Sequence, residues 1–210
     1  MSGRHRTPLS YVRRGPVREP YDRVLIVCEG KKTEPHYFGG LRLHYRLSSA
    51  NIEITPANGT DPMSIVAFAE ARLDQYDRAF CVFDRDGHQN YDTAVARVAQ
   101  SAKTNADKLV AITSWPCFEL WILLHFDYIA APFNRAGTKS SCERLISELL
   151  KHVPNYTKGQ RPIYDLLVSK TPDAIRHAVR LQRENRQTGS TNPSTRVHEL
   201  VKYLVALRPV

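Results

Sequence analysis

Apolar residues follow two rhythms along this chain. Val24-Leu25-Ile26-Val27-Cys28 and Ala79-Phe80-Cys81-Val82-Phe83 are continuous runs of branched and aromatic residues. Runs this short and this unbroken fit strands covered on both faces. Between them the spacing turns helical: Tyr37, Phe38, Leu41 and Tyr45 predict a helix over 33–47, with Thr33 as N-cap and Pro35 in its first turn. Ile52 and Ile54 alternate within 51–56, which reads as a second strand. Asp61-Pro62 supplies an N-cap and a first-turn proline for a helix whose apolar face is Ile65, Val66, Ala69 and Leu73. An alanine-rich helix is expected over 91–105 and a fourth strand over 108–113. Strand and helix thus alternate three times, which predicts right-handed crossovers and an open parallel α/β sheet of about four strands in the order 2-1-3-4.

Beyond Pro116 the pattern is helical. Residues 118–126 are strongly apolar, 142–153 place Leu145, Ile146, Leu149 and Leu150 on one face, and 173–186 and 194–207 complete a helical second half. The expected organisation is a flexible basic arm (1–22), an α/β core (23–115) and a mostly helical extension packed on it (116–210). Trp115 and Trp121 are expected in the core.

Composition narrows the class. A chain of 210 residues with 42% hydrophobic residues can bury a sizeable core, roughly 70% of its unfolded surface, and needs no staple. Cys28, Cys81, Cys117 and Cys142 form no C-x-x-C pair and lie mostly in apolar runs, so they read as buried thiols in a reducing compartment. The longest apolar candidate, 115–128, carries Glu119, His125 and Asp127, and the first residues hold no secretory core segment. A cytoplasmic, non-membrane protein is expected.

The 30 Lys and Arg outweigh 21 Asp and Glu, a net charge of +9. Net charge alone fits a polyanionic partner as well as mere solubility. Its distribution changes that balance. Residues 1–23 hold six arginines against Glu19 and Asp22, a local +4, and 135–196 hold 12 basic against 5 acidic residues, a local +7.

The candidate chemistry is acidic. Functional groups of a parallel sheet gather at the C-terminal strand ends, beside the point where strand order reverses. Glu29 closes the first strand and Asp84-x-Asp86 the third. The period of two projects Asp84 and Asp86 to one side and Arg85 to the other. If strands one and three are neighbours, three carboxylates converge, and like charges at that range oppose one another's ionisation. A divalent cation resolves the conflict, and an all-oxygen donor set suits Mg²⁺ or Mn²⁺ with phosphate oxygens completing the shell.

These residues carry a resemblance. CEGKKTEPHYF (28–38), VFDRDGH (82–88), PCFELWILLHF (116–126) and NPSTRVHELV (192–201) resemble, in order, the motifs of RloB-like, or AbiL-type, Toprim proteins of bacterial defence loci. The resemblance implies a Toprim core, Mg²⁺ held by Asp84 and Asp86, and Glu29 as general base or acid or as a further ligand in phosphodiester cleavage. It also implies a co-encoded ATPase partner and a nuclease, on transfer RNA or another nucleic acid, restrained until infection. The rival reading is a catalytically silent nucleic-acid-binding or sensor subunit that regulates the ATPase.

Further candidates surround this centre, each with an ordinary alternative. In related Toprim nucleases an acid placed like Glu34 serves a second metal, while its ordinary role is to compensate a helix N-terminus. Glu119, in an apolar segment, is a candidate distal metal ligand or a partner for Arg85. Lys31, Lys32 and Lys158 are candidate phosphate contacts, and His88 is a candidate proton donor or a hydrogen-bonded spectator. Arg176, Arg180 and Arg183 form a helical stripe, opposite Ile175, Val179 and Gln182, that could track a nucleic-acid backbone or simply face solvent. A homo-oligomer is compatible with all of this.

Overall fold

A computed structural model describes residues 22–57, 59, 61–85, 87–104 and 108–207. The expected arm therefore lies outside the described residues apart from Asp22, whose carboxylate accepts a bond from the Tyr203 hydroxyl at 2.6 Å. Asp86 also lies outside them.

The first half alternates as the sequence predicts: β1 (Val24–Cys28), α1 (Thr33–His44), β2 (Ile52–Pro56), α2 (Pro62–Glu70), β3 (Arg78–Asp84), α3 (Tyr91–Thr104) and β4 (Leu109–Trp115). The second half is α4 (Glu119–Leu123), α5 (Ser141–His152), α6 (Ile163–Leu167), α7 (Thr171–Thr188), β5 (Ser194–Thr195) and α8 (Val197–Ala206). The strands form one sheet in the order β2-β1-β3-β4-β5. The first four are parallel and β5 is antiparallel to β4.

Every side chain of β1 is buried because both faces of the sheet are covered. Leu25 and Val27, with Ala79, Cys81 and Phe83, pack against Ile65, Val66 and Ala69 of α2 and Ala94 and Val98 of α3. On the other face, Val24, Ile26, Cys28, Phe80, Val82 and Ile112 pack against α1 and the second half, including Trp121, Leu145, Leu181 and Leu200. The helical extension is thus one layer of the same core rather than a separate hydrophobic unit.

Local chemistry sets the helix ends. The Asp61 carboxylate accepts from the Met63 and Ser64 N–H groups at 3.1 and 3.2 Å, and Pro62 opens α2. Ser140 and Glu143 form a reciprocal capping box on α5. Gly189, in the left-handed region at φ 72°, ends α7.

Four expectations need correction. Thr33 is the first residue inside α1 rather than its cap, and the flanking Lys32 makes no side-chain capping bond. Ser194 and Thr195 are a fifth strand rather than the start of the last helix, too short to leave a periodic signal. The buried stripe of α7 is Ala174, Ala178 and Leu181, while Val179, about 100° round the helix, is exposed. Trp115 is only half-buried, lying under the Arg85 guanidinium at 4.1 Å, whereas Trp121 is fully buried.

Candidate metal and phosphate site

The sheet places the predicted acids at adjacent strand ends. Cys28 of β1 is in register with Val82 of β3, so Glu29 and Asp84 leave the sheet side by side. Two bonds fix them: the Glu29 N–H donates to the Val82 carbonyl at 2.9 Å, and the Asp84 N–H donates to Glu29 Oε2 at 2.9 Å. The other oxygen, Glu29 Oε1, lies 2.9 Å from His88 Nε2.

Glu34, in the first turn of α1, folds back onto this turn and accepts from the Gly30 N–H at 3.3 Å. A Cβ at position 30 would lie 2.2 Å from Glu34 Oε2, so a side chain there would displace this carboxyl. Glu119 reaches the same place from the start of α4. It is 2% exposed, and it accepts from the Tyr156 hydroxyl at 3.1 Å and pairs with Lys158 Nζ at 3.4 Å.

Glu29, Glu34, Asp84 and Glu119 line a cavity of about 400 Å³, whose wall also carries Lys31, Lys32 and Lys158. The acids sit at the strand ends and helix starts, and Lys31 and Lys32 are exposed. The turn 156–159 is pressed against α1: His36 Nδ1 bonds the Gly159 carbonyl at 3.0 Å, and a Cβ at Gly159, at φ 78°, would lie 2.5 Å from Lys32 Cβ. That contact brings Lys158 and Tyr156 to a site whose first acids, Glu29 and Glu34, lie more than a hundred residues earlier.

The electrostatics follow from burial. Burial, then the charges of Glu34, Glu29 and Glu119, hold the Asp84 carboxyl well above the usual carboxylate range. Burial likewise raises Glu34, opposed by backbone N–H bonds and reinforced by Glu119 and Glu29. A cation among these oxygens would relieve both groups, so the donor set fits Mg²⁺ or Mn²⁺. The acids are not gathered into a tight cage, however. Among the described residues, the set of three or more ligand atoms all within 4.8 Å of one another comes from Cys117, Glu119 and Cys142.

Those two cysteines overturn an expectation: Cys117 and Cys142 are joined in a disulfide, whereas Cys28 and Cys81 are the buried free thiols predicted. The sequence hides the pairing because α5 packs on α4 only after an irregular segment. The expected Glu119–Arg85 pair is also absent. Arg85 instead lies over the Trp115 and Tyr91 rings and 3.8 Å from Asp92. On α7 the arginine stripe is largely neutralised, with Arg176 bound to Asp173 at 2.6 Å and Arg180 to Glu184 at 2.8 Å. Arg183 is exposed beside them. Sequence reasoning missed Tyr156 as a partner of Glu119 and the fit of Gly30 to Glu34.

Among the described residues, no helix is long and apolar enough to cross a membrane. No curated protein and no solved structure matches the chain. The family profile described as RloB-like protein matches residues 24–204, a span holding the acids, the lysines and the turn that carries Lys158, and the chain belongs to that family.

Proposed function

We infer that the protein is a divalent-cation-dependent Toprim nuclease, the effector of an antiphage system held in check by a partner ATPase. The observation that carries this reading is the pairing of Glu29 and Asp84 at neighbouring strand ends, joined through the Asp84 N–H at 2.9 Å, in a cavity with lysines on its wall. Asp84 and, by its motif, Asp86 would hold the ion. When bound, Mg²⁺ or Mn²⁺ supplies polarisation of the phosphodiester and stabilisation of the charge that develops on it.

The chain's own groups supply the rest. Lys31, Lys32 and Lys158 meet the phosphates of the entering strand. Glu29, held by the Asp84 N–H and His88, has a fixed orientation from which to take a proton from the attacking oxygen. Arg85, next in the chain after Asp84 and spread over Trp115 and Tyr91, presents a flat cationic surface to a nucleic acid.

A second reading, a silent nucleic-acid-binding or sensor subunit, is favoured by one observation: among the described residues, Asp86 not being one, the pocket acids do not form a tight cluster of ligand atoms. One experiment separates the two. The chain is expressed with its flanking genes, and the RNA and DNA ends that accumulate are sequenced. The nuclease reading expects discrete new ends with the wild type that vanish with Asp84→Asn. Identical ends from both proteins would sink it.

A further inference from the structure

The Cys117–Cys142 disulfide touches the site without belonging to its acids. It links the second residue past β4 to the second residue of α5, at a sequence separation of 25 and with Cα atoms 5.8 Å apart. Between α4 and α5 the described chain has one isolated bridge, Ala136 to Lys139, and no longer element. The fold has no need of this staple, since the sheet is buried on both faces by hydrophobic packing.

What the bond touches is more telling. Cys142 Sγ lies 3.9 Å from Glu119 Oε2 and 3.4 Å from Lys158 Nζ, and Lys158 Nζ is itself 3.4 Å from the same Glu119 oxygen. Glu119 and Lys158 both line the cavity, and Lys158 is about half exposed. A disulfide sulfur has no proton to give, so in the oxidised form Lys158 supplies the positive partner of that oxygen. Reduction parts the two sulfurs from bonding to van der Waals contact, so Cys142 Sγ shifts against the Glu119–Lys158 pair that it touches and loosens it.

We propose that Cys117 and Cys142 are a reversible thiol-modification site, and that their reduction frees Lys158 from Glu119 to bind an anion in the cavity. The chemistry is exchange with a low-molecular-weight disulfide such as oxidised glutathione. The Cys142 sulfur, whose residue is 6% exposed against 2% for Cys117 and 0% for Cys28 and Cys81, attacks it as the 156–159 turn that covers it opens, forming a mixed disulfide and releasing one glutathione thiol. The Cys117 sulfur then attacks Cys142 and expels the second. Two electrons and two protons pass from the protein thiols to the two glutathiones, and the reverse sequence restores the dithiol. The inference rests on the proposed site only in taking the cavity to receive an anionic ligand.

The test uses the folded, full-length wild type in glutathione buffers of graded ratio, trapped by alkylation and read by mass spectrometry. Cys117 and Cys142 should change together in one reversible two-electron transition while Cys28 and Cys81 stay protected. A pair that stays alkylatable in oxidised glutathione, or that resists reduced glutathione in the native state, overturns the proposal. The second arm measures inorganic pyrophosphate binding to the fully oxidised and fully reduced protein. The reduced form should bind about fivefold more tightly, at the lower end of site-to-site coupling, and Lys158→Met should remove the difference. Equal affinity in the two forms, absence of binding included, overturns the link to Lys158. Neither arm reads nuclease activity, so failure of the functional reading leaves both interpretable.

Discussion

The Asp84 N–H bonded to Glu29 fixes two carboxylates side by side, and burial with its acidic neighbours holds the Asp84 carboxyl above its usual range. An acid whose folded value is raised binds more protons when native than when unfolded. In the cation-free protein its contribution is therefore unfavourable above the unfolded carboxylate range, growing as pH rises through the window up to the folded value. We expect the cation-free protein to lose thermal stability as pH rises above the ordinary carboxylate range, and to regain it with Mn²⁺. Asp84→Asn should flatten that profile and raise the melting temperature at the alkaline end, since it removes a buried charge without altering the backbone bond. A wild-type profile equally flat, read by calorimetry in chelator, contradicts the account. Glu29 and Asp84 were legible in the sequence because strand ends are local features. Lys158 was legible as a candidate phosphate contact, but its contact and that of Tyr156 with Glu119 were not, since they depend on the packing of the 156–159 turn on α1.

The crossovers that create this geometry depend on local signals of unequal strength. Asp61 caps α2 through two N–H groups and also accepts from Asn90 Nδ2 at 2.7 Å, tying the start of α2 to the turn before α3. Asp61→Ala should cost about 1 to 2 kcal/mol in urea unfolding, and it should leave metal binding unchanged because Asp61 is not among the residues that line the acidic cavity. An unaltered midpoint would show that the cap carries no stability. The parallel strands were readable because continuous apolar runs admit few other solutions. β5 was not, since two residues cannot show a period and their role is fixed by Ser114 and Trp115 opposite. The buried face of α7 was misread because Ala174 and Ala178 are small, and Val179 is more hydrophobic than either neighbour that points inward.

Across the molecule, charge is organised around one acidic depression. The +9 of the sequence does not gather into a free arginine stripe on α7, because Asp173 and Glu184 take up Arg176 and Arg180. The cations that face the cavity are Lys31, Lys32 and Lys158. The order of the first four strands, the two-faced core and family membership follow from patterns visible along the chain. The cysteine pairing and the ion pairs of α7 do not, because they join side chains whose proximity only the packed helical layer creates. The most direct test of the central claim follows the cleavage of RNA and DNA by the purified chain, supplied with the proposed ATPase partner, in Mg²⁺ or Mn²⁺ and in chelator. Wild type should cut in either cation and stop in chelator, and Asp84→Asn should slow cutting by a factor on the order of 10² to 10³, the usual loss when a charge-stabilising group is removed. Cutting by Asp84→Asn at the wild-type rate, cutting that persists in chelator, or intact RNA and DNA after incubation with wild type would contradict it.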